Sequence, residues 1–103
     1  MAIGVAAAGL PGYAADNADQ LTLGKKLFNQ TATPACALCH TLKDAGSQGA
    51  VGPILDELKP DSARVANALR NGLGNMPAYK GTLSEAQIQA LALYVARASG
   101  AVP

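Results

Sequence analysis

Cys36-Ala37-Leu38-Cys39-His40 holds both cysteines and the only histidine of a 103-residue chain. No other thiol or imidazole exists to complete a site with them. Around this stretch the chain is poor in bulky core formers. Half of its residues are hydrophobic, but there is one Phe, three Tyr and no Trp, and much of the remainder is alanine. The length suits one domain. A domain this small buries a modest core and often relies on a metal, disulfides or a cofactor as a staple.

Four chemistries use such a cluster. A redox C-x-x-C pair typically sits beside a βαβ pattern, and no stretch here alternates as a strand should. Structural zinc needs four ligands, so three adjacent ones would have to borrow a carboxylate such as Asp44. Catalytic Cys and His are normally distant in sequence and joined by the fold, unlike adjacent Cys39 and His40. The fourth chemistry is covalent haem, whose attachment signature is C-x-x-C-H. The spacing has a geometric reason. Two thiols one helical turn apart each add to a vinyl group on one porphyrin edge. The following histidine then lies beneath the ring and offers a nitrogen to the iron. Cys36, Cys39 and His40 are therefore expected to hold one haem c.

Three stretches read as helix. The first spans about Asp19 to Gln30, with Asp19 as N-cap and Leu27 and Phe28 on one side. Gly24 inside it costs about 1 kcal/mol against Ala, which points to close approach by another helix. The second spans about Asp61 to Asn71, after Pro60 and before Gly72, with Val65, Ala68 and Leu69 as its apolar face. The third spans about Ser84 to Ser99. It opens on a capping box, Ser84 with Gln87, and carries Ile88, Leu91, Ala92, Val95 and Ala98 at helical period. Tyr94 flanks that stripe. Two long Gly/Pro-rich loops, Thr41 to Lys59 and Leu73 to Leu83, need something to hold them in so small a domain. A bound group gripped by both would do so.

A haem with one protein ligand has a sixth coordination position. An open position favours gas or peroxide chemistry, and a filled one favours electron transfer. The only methionine inside the chain is Met76, in Gly72-Leu73-Gly74-Asn75-Met76-Pro77-Ala78-Tyr79. A lone methionine is often core filler. Its place in a Gly/Pro loop, away from any helix face, favours the ligand reading instead.

These pieces together resemble a class I monohaem cytochrome c. The resemblance runs from about Leu21 to Gly100. It rests on Cys36 to His40, Gly52-Pro53-Ile54-Leu55, Asn75-Met76-Pro77, and a last helix with Leu91 and Tyr94. It implies an all-α fold of three to five helices with long loops wrapped around one haem, in a single domain over residues 16–103. It implies that Met76 is the second iron ligand and that Gly24 and Phe28 meet Leu91 and Tyr94. It also implies that the Pro53 carbonyl accepts the other ring N–H of His40. Leu38, Leu42, Pro53, Leu55, Leu69, Leu73, Met76, Leu83 and Leu91 are the expected lining of the haem. Arg64, Arg70, Asn75, Tyr79 and Lys80 are the candidates to reach a propionate. A narrower resemblance covers Leu55 to Asp61, Val65 and Asn71 to Pro77. It is to the small cytochromes paired with bacterial sulfite dehydrogenases, and it implies a sulfite dehydrogenase as donor and a further cytochrome or oxidase as acceptor.

The remaining features bound the function. Net charge is +1, from eight Lys+Arg against seven Asp+Glu, and no basic run exists, so nucleic acid is not an expected partner. The first fifteen side chains are uncharged. Residues 1–15 read as the remnant of a secretory leader lacking its positive start, or as an N-terminal arm. They are too short and too broken by Gly9, Pro11 and Gly12 to span a bilayer. Covalent haem and a leader-like start both point to a bacterial periplasm. The expected function is one-electron transfer, without substrate chemistry. The rivals are a haem c sensor or peroxidase-like protein with a labile methionine, and a binding or structural subunit with a redox thiol pair.

Overall fold

The computed structural model describes residues 18–101. The expected leader remnant or arm, residues 1–15, lies outside the described residues. Residues 18–26 form the helix α1, which widens into a single π turn, Leu27–Thr31. Asp19, expected as the N-cap, is itself helical. Cys36–Leu38 make one 3₁₀ turn. Thr41–Leu42 (β1) and Ser47–Gln48 (β2) then pair antiparallel around a second 3₁₀ turn, Lys43–Ala45. Three helices follow: α2 (Leu55–Leu58), α3 (Ser62–Asn71) and α4 (Glu85–Ser99).

Local chemistry explains the helix limits. The Asp61 carboxylate accepts from the Arg64 N–H and starts α3. Ser84 and Gln87 form the capping box of α4, each side chain bonded to the other's backbone N–H. Gly100, at φ +91°, ends α4 in the left-handed conformation that glycine adopts without strain.

The α4 helix is the centre of the fold. Ile88, Leu91, Ala92 and Val95 are buried as expected, and Ala98 is half-buried. Ala90, Tyr94, Ala96 and Ser99 are also buried, so other faces of the helix are covered too. On α1, a Cβ at Gly24 would lie 2.5 Å from the Ala90 carbonyl oxygen and closer still to Tyr94 Cβ. The two backbones touch there, which is why the helix tolerates a glycine. One turn on, Phe28 meets Tyr94 edge to face, with ring centroids 6.1 Å apart.

Two expectations change. The segment Thr41 to Lys59 is not an open loop. It holds the short β ladder and α2, closed by Gly46 at φ +70° and by the buried Ser47 hydroxyl, which binds within the hairpin. Two-residue strands are too short to alternate visibly, so no periodicity could announce them. The fold remains mostly helical, with this small ladder added. Among the described residues no helix is long and apolar enough to cross a membrane.

Candidate haem-binding site

The 3₁₀ turn at Cys36 is closed by the Cys39 and His40 N–H groups, both donating to the Cys36 carbonyl at 3.1 and 2.9 Å. The turn puts both sulfurs and the imidazole on the wall of one open-sided cavity of about 310 Å³. Burial pushes the Cys36 thiol up to about 11, with a backbone hydrogen bond opposing and Cys39 adding to the rise.

His40 is fixed from two directions. Its Nδ1 lies 2.8 Å from the Pro53 carbonyl oxygen. A carbonyl only accepts, so Nδ1 carries the proton and Nε2 keeps a free lone pair. Gly52 covers the ring: a Cβ there would sit 2.5 Å from Cε1 and 3.0 Å from both nitrogens. Gly52 is in turn tied to the motif, its N–H donating to the Cys39 carbonyl at 2.7 Å. The backbone beneath is braced by Ser47, whose hydroxyl donates to the His40 carbonyl at 2.9 Å and accepts from the Leu42 N–H at 3.0 Å. Thr41 adds a bond from its hydroxyl to the Gly49 carbonyl.

Met76 reaches the same cavity from a tight turn. Leu73 and Met76 exchange both backbone hydrogen bonds, at 3.0 and 2.9 Å, around Gly74 at φ +59°. Gly72, at φ +75°, lets the chain leave α3 sharply, and a Cβ there would press on the Met76 carbonyl at 2.9 Å.

The lining corrects part of the sequence reading. Pro53, Leu55, Leu69, Leu73, Met76 and Leu91 border the cavity as expected. Leu38, Leu42 and Leu83 do not border it. Leu38 is 68% exposed, while Leu42 and Leu83 are buried in the protein's own core. Phe28, Leu58, Pro60, Val65, Ala68, Tyr79 and Val95 also border the cavity. Val65, Ala68 and Val95 were legible only as helix-packing residues, and Pro60 only as the residue that precedes a helix. Among the propionate candidates, Arg64, Asn75 and Tyr79 are on the wall. Arg70 is paired with Glu85, and Lys80 is not on the wall. Among the described residues, Arg64 is the only Lys, Arg, Asp or Glu of the lining.

This lining fits a haem. It is a largely apolar slot with two thiols three residues apart, an imidazole with a free nitrogen, a thioether and one cation for an acidic edge. Among the described residues no three His, Cys, Asp or Glu side chains gather as a metal cluster.

Comparison with known proteins agrees. Residues 19–95 match the family described as cytochrome c oxidase, cbb3-type, subunit III. Cytochrome c6 of Leptolyngbya boryana is 38% identical over 76 residues, which cover 70% of this chain and 85% of that protein. The chain belongs to the monohaem c-type cytochromes. Its fold is correspondingly similar to the crystal structure of the c-type cytochrome SorU from Sinorhizobium meliloti. The TM-score is 0.77 at 52% identity, covering 80% of this cytochrome and 93% of that chain. The cytochrome therefore carries a covalently attached haem c and serves as an electron carrier, not an enzyme.

Proposed function

We propose that this cytochrome is a periplasmic one-electron carrier. Its haem is joined through Cys36 and Cys39 and held at the iron by His40 and Met76. The observation that carries this reading is the meeting of four groups on one apolar cavity: both thiols, the His40 ring with its Nδ1 bonded to Pro53, and the Met76 thioether. When bound, the haem supplies a one-electron couple. The chain's residues set its behaviour. Pro53 holds the imidazole in the tautomer that leaves Nε2 free, and such outer partners orient and tune a metal ligand. The Met76 thioether, as a ligand beside His40, would favour the reduced state and raise the potential. The apolar wall keeps water out and disfavours added positive charge. Were His40 and Met76 both to bind the iron, the haem would supply electron transfer and no position for a substrate.

Leu38, Val51 and Leu73 are 68, 74 and 72% exposed. They belong to or adjoin the segments that carry Cys36, Pro53 and Met76. A small apolar face of this kind suits a short-lived redox complex. The donor proposed is a sulfite dehydrogenase, and the acceptor a downstream cytochrome or oxidase. Support comes from the resemblance of Leu55 to Asp61, Val65 and Asn71 to Pro77 to the small cytochromes of that pairing.

The test has two arms. The ferric protein is expected to show the weak band near the red end of the visible that reports an iron–methionine bond. Loss of that band in wild type, with ready carbon monoxide binding after reduction, would favour the labile-ligand sensor or peroxidase reading. Stopped-flow mixing with sulfite dehydrogenase and sulfite is expected to reduce the haem. No reduction would remove that donor and leave the carrier reading standing.

A further inference from the structure

Tyr79 is held at every polar point it has. Its N–H donates to the Leu69 carbonyl of α3 at 2.6 Å. Its own carbonyl accepts from the N–H groups of Thr82 and Leu83 at 3.0 and 2.8 Å. Its hydroxyl donates to the Pro34 carbonyl at 2.6 Å, across 45 residues of sequence. The ring is 3% exposed and borders the haem cavity. Tyr79 stands three residues after Met76, and Pro34 two residues before Cys36. Among the described residues, no other hydrogen bond joins residues 72–83 to residues 27–53. We infer that the Tyr79 hydroxyl is a latch: it fastens the loop that carries Met76 to the segment that carries the attachment cysteines, and so sets how readily that loop opens to let a foreign ligand take the methionine's place on the iron. The inference rests on Met76 being the iron ligand.

The physical case is one of local stability. The turn from Gly72 to Pro77 closes on itself through the Leu73–Met76 pair alone. Gly74 and Ala78 are exposed and lie off the cavity wall, so apart from the face that Leu73, Asn75, Met76 and Pro77 turn to the cavity little packing holds the segment down. Segments of this kind open at a fraction of the global unfolding free energy. A part-buried neutral hydrogen bond is then a large share of what keeps the segment closed. Burial is the main cause that holds the Tyr79 phenol above its usual value. The hydroxyl thus keeps its proton, and the bond, throughout the neutral range. Phenylalanine at this position would fill the same volume and leave the loop unfastened. Tyr79 acts here as a positioning residue, through Met76.

The experiment compares imidazole binding to the ferric holoprotein in wild type, Tyr79→Phe and Ser84→Ala. The last removes a helix cap that is not on the cavity wall and controls for general loss of stability. Tyr79→Phe is expected to keep the iron–methionine band and to bind imidazole about three to ten times faster, the factor one hydrogen bond supplies when opening limits the rate. Ser84→Ala is expected to bind at the wild-type rate. An intact band with unchanged Tyr79→Phe kinetics would overturn the latch alone. So would an equal acceleration in Ser84→Ala. A wild-type ferric spectrum without the band would overturn the Met76 ligation and the latch with it.

Discussion

Gly52 is the residue on which the imidazole depends most directly. Its φ lies outside the left-handed region, so alanine is not excluded by backbone strain. What excludes a methyl group is the His40 ring, 2.5 Å away at Cε1 and pinned at Nδ1 by Pro53. Gly52→Ala is expected to tilt the ring, shift the haem-methyl resonances of the ferric protein and weaken the histidine–iron bond by about 10- to 100-fold, the usual range for outer partners of a ligand. Gly81→Ala is the matched control, because nothing lies within 4 Å of a Cβ there; its spectrum is expected to be that of wild type. The haem-attachment motif was legible in sequence, since Cys36, Cys39 and His40 stand at its spacing. The Gly52 contact and the Ser47 bond to the His40 carbonyl were not. They depend on how a hairpin folds under the motif, and a serine or glycine in a polar loop gives no local sign of it.

At the scale of elements, α4 meets its neighbours in three different ways, and each can be broken singly. Against α1 the contact is backbone to backbone. Gly24→Ala gains about 1 kcal/mol of helix propensity, but the added methyl would strike the Ala90 carbonyl, which cannot step aside. Overpacking of this kind costs about 1–3 kcal/mol, so thermal melting is expected to show a net loss. Against the Lys43–Ala45 turn the contact is polar. The Tyr94 hydroxyl donates to Asp44 at 2.7 Å, while its ring packs on Phe28. Tyr94→Phe keeps the ring and is expected to cost about 1 kcal/mol or somewhat more in denaturant titration, because the partner is charged. Against α3 the contact is ionic: Arg70 pairs with Glu85, which also accepts from Gln89. The Arg70 hydrogen bond, helped by Gln89, holds the Glu85 carboxyl down at about 2. A depressed carboxylate stabilises the fold above its unfolded value, near 4.5, and loses that stabilisation as pH falls toward 2. Glu85→Gln is expected to flatten the fall in melting temperature over that window and to leave the slope above pH 6 unchanged. The helix caps at Asp61 and Ser84 were readable because capping is local. The α2 helix was not, because a four-residue element leaves too little periodicity to read.

At the scale of the molecule, the chain folds around a space that it does not fill itself. Leu27, Phe28, Leu42, Leu69, Ile88 and Leu91 are almost wholly buried, yet Val65, Ala68 and Met76, on the cavity wall, are only partly covered. The shortage of bulky residues seen in the composition is this same space counted another way. Anything that binds only the folded state stabilises it. Protein made with Cys36→Ala and Cys39→Ala is therefore expected to lose part of its helical circular dichroism and to melt at lower temperature with less cooperativity. The overall architecture was legible because the haem motif, two helices with caps and a glycine crossing all require one arrangement. The lining was legible only in part. Whether a leucine meets cofactor or core depends on tertiary position, and Leu38, Leu42 and Leu83 show how the same residue type is sent to surface or core instead of the cavity. The most direct measurement is the mass of the tryptic peptide from Leu27 to Lys43, taken from protein matured where haem attachment operates. One added haem, retained after denaturation and extraction with acidic acetone, is the expected result. The mass of the bare peptide would contradict it.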